Sequence, residues 1–224
     1  GYGFAASDAL YQEAYTTFTG TASASRTDVG TSYMGLTQDM FSNGNANFDV
    51  TYDVTDGYVT IDRMAVTVTI TGNTGTWEYD GTERTVSGYV LEASDKLYLG
   101  SYVNFTGTAS VGRTVVGTSA MGLAASQFSN TSGNFDVTFK VVDGSVTVTK
   151  AEVTVTITGY DDSQTYDGNE HSISGYDFGS DYYLYLEDYV TFSGDATAKR
   201  TDAGTTDMGL SADQFTNTNT NFDV

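Results

Sequence analysis

The stretch Val66-Thr67-Val68-Thr69-Ile70-Thr71-Gly72 returns unchanged, 87 residues later, as Val153-Thr154-Val155-Thr156-Ile157-Thr158-Gly159. Val66, Val68 and Ile70 fall on one side of an extended chain, and Thr67, Thr69 and Thr71 on the other. Apart from its glycine the string is β-branched throughout, which favours strand and disfavours helix. The alternation predicts a strand with one packed face and one solvated face.

The same step of 87 governs the rest of the chain. Met34-Gly35-Leu36 recurs as Met121-Gly122-Leu123 and Met208-Gly209-Leu210, and Asn47-Phe48-Asp49-Val50 recurs ending at Val137 and at Val224. Aligned from Gly1, Gly88 and Gly175, the three 50-residue blocks share 21 identical columns. Most are glycines (Gly20, Gly30, Gly35), aromatics (Tyr2, Tyr11, Tyr15, Phe18, Phe41, Phe48) and aliphatics (Leu10, Leu36, Val50). The polar ones are Arg26, Thr27, Thr31, Asn43, Asn47 and Asp49.

Phe48–Val54 alternates in the same way and runs into Asp56-Gly57, and its second copy runs into Asp143-Gly144. Asp-Gly between alternating runs predicts a hairpin, with Val59 and Ile61, or Val146 and Val148, on the returning strand. Gly35–Phe41 and Gly122–Phe128 suit at most one short helical turn. The expected fold class is all-β: tandem β-sandwich modules with an 87-residue repeat, elongated, with short strands between turns. The repeat frame divides the chain into 1–62, a module lacking its first strands; 63–149, a complete one; and 150–224, lacking its last strand or strands.

Composition narrows the function. The 224 residues carry 9 Lys+Arg against 29 Asp+Glu, a formal charge of −20, with no Cys and no Pro. Without Cys there is no disulfide, thiol catalysis or thiolate metal site. Nucleic acid and anionic membrane surfaces need clustered cations, so neither is an expected partner. No apolar run reaches the length of a membrane span. With no initiator Met, the chain reads as a processed product or a window of a longer array.

The succession VTVTITG, YDGTE (Tyr79–Glu83), SGY (Ser87–Tyr89), FTGTA (Phe105–Ala109), RTDVGT (Arg26–Thr31), MGL, NFDV and VTDGYVTI (Val54–Ile61) resembles the YDG/MBG-type repeats of bacterial surface proteins. The resemblance covers the whole chain in one register. It implies Ig-like β-sandwich modules strung in tandem in adhesins and wall-associated proteins, and hence an extracellular or cell-surface location. The chain departs from that pattern in having no Pro at the junctions Asp62–Ala65 and Thr149–Glu152. Ser32, Ser119 and Thr206 stand where a tyrosine corner would place Tyr.

Candidate sites are few. His171 is the only histidine and aligns with Arg84, which suits a variable surface position better than a general base. No Ser-His or Cys-His pair is available, and a two-carboxylate glycosidase would need one constellation in one place, so no enzyme is expected. Arg26, Arg113 and Arg200 recur in a chain poor in cations. They suit an ion pair, with Asp49 or Asp136 as the carboxylate, or a clamp on backbone carbonyls; a sugar or carboxylate contact is the functional alternative. Tyr79-Asp80-Gly81 and Tyr166-Asp167-Gly168 read as tight turns, with a metal carboxylate as the alternative. The acidic stretch from Asp161-Asp162 to Asp167 lacks EF-hand spacing; no cofactor is expected, with intermodular calcium the one candidate. Trp77, Tyr33, Tyr160 and Tyr182 are the aromatics that a glycan would use.

Three functions fit this reading. The first is a non-catalytic stalk or spacer, whose partners are neighbouring modules and whose host or glycan ligand sits at a tip outside this sequence. The second is a self-assembling extracellular filament subunit that uses strand complementation between modules. The third is an adhesin module that itself binds glycan or protein.

Overall fold

The computed structural model describes residues 1–224. All the long-range pairing is between β-strands; the only helical elements are six single 3-10 turns. They recur at the repeat step: Glu13–Tyr15, Gly100–Tyr102 and Glu187–Tyr189 form one set, and Gln38–Met40, Ala125–Gln127 and Ala212–Gln214 the other. The second set was foreseen in the first two copies; the first set was not. Such a turn uses three residues and leaves no periodic apolar stripe to read.

By proximity the chain gathers into two compact units, each built of three separate segments. The first comprises Gly1–Val68, Glu92–Phe105 and Phe128–Lys140. In it Thr16–Phe18 pairs antiparallel with Phe41–Asn43, Gly30–Tyr33 with Tyr58–Ile61, and Val103–Phe105 with Phe128–Asn130. Its core is largely aromatic. Tyr11 packs edge-on against Tyr15 and Phe48, with ring centroids 5.8 and 5.3 Å apart, and Tyr98 repeats this with Tyr102 and Phe135 at 5.6 and 5.2 Å. Each such pair contributes about 0.5–1.5 kcal/mol beyond its burial. Each central tyrosine also has an acceptor: Tyr11 donates to Asn43 Oδ1 at 3.1 Å and Tyr98 to Asn130 Oδ1 at 3.2 Å.

The second unit comprises Thr69–Leu91, Thr106–Gln127 and Val141–Val224. Here Ser145–Thr149 lies between Gly117–Ala120, antiparallel, and Thr74–Glu78, parallel. Arg84–Ser87 pairs with Ser110–Arg113. In the third copy Val155–Gly159 pairs with Tyr176–Ser180, His171–Ser174 with Thr197–Arg200, and Val190–Phe192 with Phe215–Asn217. Ala151–Glu152 runs parallel to Phe222–Asp223 over a core of Ala151, Val153, Tyr185 and Phe222.

Met64–Gly72 is the middle strand of a sheet flanked by Phe135–Val142 and Tyr89–Ala93. Val66, Val68 and Ile70 are buried, as the alternation predicts, and Val68 and Ile70 are wholly so. No ladder crosses 62/63 or 149/150.

Two sequence expectations fail. Phe48–Val54 carries no strand, although its counterpart Phe135–Val142 does. Asp143-Gly144 joins two strands that lie in different sheets, so it closes no hairpin. A two-residue type I′ turn needs positive φ at both central residues, and neither Gly57 nor Gly144 has it. The dipeptide is used otherwise. Asp143 accepts the Gly122 and Leu123 N–H groups at 2.9 and 2.8 Å, and Asp56 holds Gly35 and Leu36 at 3.0 and 2.9 Å. A β-carbon on Gly144 would stand 2.5 Å from Asn73 O, so the glycine permits a close backbone approach instead of a reversal.

Candidate functional site: arginine clamps and asparagine locks

The three recurring arginines each grip a turn in their own copy. Arg26 Nε donates to Asp28 O at 2.6 Å, Nη2 to Val29 O, and Nη1 to Thr31 O and Ser32 Oγ, both at 3.3 Å. Arg113 reaches Val115 O, Val116 O and Ser119 Oγ at 2.7, 2.6 and 3.0 Å. Arg200 reaches Asp202 O, Ala203 O, Thr205 O and Thr206 Oγ1 at 2.7, 3.0, 3.2 and 3.2 Å. A turn exposes carbonyls that no ladder satisfies, and the planar fork of five donors meets several at once. The glycine four residues on makes room. Gly30, Gly117 and Gly204 have φ of 129°, 130° and 140°, and a β-carbon on any of them would collide with the guanidinium.

This is the carbonyl clamp, and the ion pair with Asp49 or Asp136 does not form. Both carboxylates lie on exposed faces of their segments, and the guanidiniums are taken up by oxygens within six residues of themselves. So committed, the clamps have little left to offer a ligand.

An asparagine from the next copy closes over the clamp. Asn134 Oδ1 accepts the Val29 N–H at 2.9 Å, and its Nδ2 donates to Asp28 Oδ1 at 2.8 Å. Asn221 Oδ1 accepts the Val116 N–H at 2.9 Å, again 105 residues away. Beside each lock the main chain bonds too: Met64 N–H donates to Asn134 O, and Ala151 N–H to Asn221 O, both at 3.1 Å. The first-copy equivalent, Asn47, is exposed. Sequence reasoning assigned these asparagines no role. The signal was present, since a polar residue identical in all three copies needs a partner.

Both Tyr-Asp-Gly motifs form turns. Gly81 and Gly168 have φ of 78° and 82°. Asp80 accepts the Thr82 N–H at 3.0 Å and pairs with Arg84; Asp167 accepts the Asn169 N–H at 2.9 Å and faces His171 Nε2 at 3.0 Å. Hydrogen bonds from Thr82, then the Arg84 charge, hold the Asp80 carboxyl below the usual carboxylate range. Hydrogen bonds from Asn169, then from His171, do the same for Asp167. Tyr79 and Tyr166 part company: Tyr79 packs edge-on against Phe222 at 5.2 Å, whereas Tyr166 is exposed. Arg84 stands directly opposite Arg113 across a ladder, and His171 opposite Arg200. Two arginines so placed repel, and the clamps turn Arg113 and Arg200 away onto carbonyls.

The acidic stretch does not gather. Asp162 binds its own neighbours, Ser163 N–H and Gln164 Nε2, both at 2.8 Å, and no group of three or more His, Cys, Asp or Glu is placed to hold a metal ion. Among the aromatics weighed for glycan contact, Tyr182 is structural: its hydroxyl donates to Tyr79 O at 2.8 Å and its ring packs on Phe222. Trp77 is half-buried against Gly75. Tyr33 and Tyr160 are exposed; Tyr33 lies beside Tyr58, with centroids 5.8 Å apart. No protein-family model, curated protein or solved structure matches the chain.

Proposed function

We propose that the chain is a non-catalytic structural spacer: tandem Ig-like β-sandwich modules of the YDG/MBG kind, with frames 1–62, 63–149 and 150–224, displayed outside a bacterial cell. The observation that carries this reading is the lock. The asparagine of one copy bonds the clamp loop of the copy before it, twice, at the same separation and the same 2.9 Å. A contact that repeats with the sequence propagates one geometry from copy to copy, which is what a spacer needs. Closure of every ladder within its own frame supports the module boundaries.

The partners in this reading are neighbouring modules. The charge of −20 keeps such arrays soluble and apart from one another. The longest strands, Met64–Gly72 and Phe135–Val142, of 9 and 8 residues, would add roughly 25–30 Å per module at ~3.3 Å per residue. Small-angle scattering on the whole chain tests it. An elongated profile is expected, and a compact one overturns the spacer.

A further inference from the structure

Each copy carries an asparagine bracket, and in the first copy the residue after it is out of pattern. Asn43 uses both halves of its amide. Nδ2 donates to Asn45 O and Phe48 O at 2.9 and 2.8 Å, and Oδ1 accepts the Asn45 N–H and the Tyr11 hydroxyl at 2.9 and 3.1 Å. Asn130 and Asn217 bond the corresponding groups in the second and third copies. The next residue is Gly44 in the first copy and Thr131 or Thr218 in the others. All three donate their N–H to a tyrosine carbonyl, that of Tyr15, Tyr102 or Tyr189, at 2.7, 2.8 and 2.8 Å. The two threonines add a hydroxyl bond to the same carbonyl, at 3.0 and 2.9 Å, which glycine forgoes. Nor does the backbone need glycine: Gly44 has no positive φ, and a β-carbon there would meet only Tyr15 O, at 3.3 Å. A residue that breaks the local pattern with no structural gain points to chemistry. No other asparagine in the chain precedes glycine, the one residue whose nitrogen has no β-carbon beside it to hinder attack on the preceding side chain.

We propose that Asn43-Gly44 is a spontaneous modification site, guarded in the folded chain, at which Asn43 becomes aspartate or isoaspartate once the first copy opens. The Gly44 nitrogen bonds to Asn43 Cγ and its proton passes through solvent to Nδ2. The Cγ–Nδ2 bond breaks, ammonia leaves, and a cyclic succinimide remains. Water then opens the ring at either carbonyl, giving aspartate or, with the main chain routed through Cγ, isoaspartate. In the folded chain the amide is held on its four partners and the Gly44 N–H is turned onto Tyr15 O, so neither reacting atom is free. After reaction an oxygen replaces Nδ2 and faces the Asn45 and Phe48 carbonyls with no proton to offer. Isoaspartate also lengthens the main chain at the register pair of Thr16 and Asn43. The bracket then stays open, and a transient opening becomes a permanent one. The proposal does not rest on the spacer reading.

The test incubates the whole chain at mildly alkaline pH, in native buffer and in urea, and follows each asparagine by peptide mass. In urea Asn43 is expected to convert roughly tenfold or more faster than Asn130 and Asn217, and in native buffer to slow by at least about tenfold. Gly44→Thr, which copies the residue of the other two repeats, is expected to keep the fold and bring Asn43 down to their rate. After urea is removed, amide exchange of residues 43–48 is expected to regain its protection in Gly44→Thr and not in the converted parent chain. An Asn43 rate in urea equal to that of Asn130 overturns the proposal, as does equal conversion with and without urea. Equal recovery of protection by the two chains overturns it too, since the bracket would then close over the product. The rates in urea need no folded variant, so they decide even where Gly44→Thr fails to fold.

Discussion

Two identical strings of seven residues end in different surroundings. In Val66–Gly72 the apolar residues are buried, and the strand has a neighbour on each edge. In Val153–Gly159 only Val153 is buried; Val155 and Ile157 are half-exposed, and the strand Val155–Gly159 pairs on one edge alone. Local sequence is therefore sufficient for the strand and insufficient for its burial. Phe135–Val142 and Tyr89–Ala93 flank the first string, whereas Tyr176–Ser180 is the one strand paired with Val155–Gly159.

The sharpest way to break this comparison is to truncate the same isoleucine twice. Ile70→Ala empties a wholly buried site and is expected to cost about 2–5 kcal/mol. Ile157→Ala, half-exposed, is expected to cost roughly 1 kcal/mol. Trp77 is the only tryptophan and lies in the same compact unit as both isoleucines, so its fluorescence during denaturant unfolding reads both losses on one scale. Equal losses would mean that the two strings share one environment after all.

The terminal glycine gives the next contrast. A β-carbon on Gly72 would strike the Gly144 backbone, while one on Gly159 meets only the ends of Leu210 and Met208, at 3.1 and 3.3 Å. Gly72→Ala is expected to cost about 1–3 kcal/mol by overpacking. Gly159→Ala is expected to stay within about 0.5 kcal/mol, because flexible side chains yield. Thermal unfolding of the two variants decides.

The locks carry the comparison to the first copy. Asn134→Ala leaves the Val29 N–H and Asp28 without their partner and is expected to cost about 1 kcal/mol. Asn47→Ala, at an exposed position, is expected to be nearly neutral in the same assay.

The smallest effect is in acid. Burial raises the Asp143 carboxyl, but the N–H groups of Leu123, Gly122 and Gly144 outweigh it and hold the group below the usual carboxylate range. A carboxyl lowered by folding adds stability above its unfolded pKa, about 3.9, and that stability fades as pH falls through the lower folded value. Asp143→Asn should therefore flatten the stability profile seen by Trp77 below about pH 4 and leave its shape above that unchanged.

Much of this was legible in the residues. Alternation gave the all-β class, the strand at Val66 and its buried face. The 3-10 turns recur at the 87-residue step, but the strands do so only in part: Thr74–Glu78 has no strand at 161–165, and Gly30–Tyr33 and Gly117–Ala120 have none at 204–207. The arginines announced a clamp because so few cations recur, but the choice between carboxylate and carbonyl depended on where the turn put its oxygens. The Asp-Gly pairs misled because their hairpin signal is local, and the Asp143 carboxylate is spent on Gly122 and Leu123, twenty residues back. The unpaired state of residues 48–55 could not be read from Phe48–Val54 at all. Those residues match Phe135–Val142, which pairs with Met64–Gly72.

The parallel pairing of Thr74–Glu78 with Ser145–Thr149 has a mechanical consequence. Tension along the chain draws the first of these toward its N-terminal end and the second toward its C-terminal end. Because they run in the same direction, the pull lies along the ladder, and its hydrogen bonds share the load instead of parting one after another. In single-molecule pulling the middle copy is expected to yield at a higher force than an antiparallel hairpin peeled from its open end.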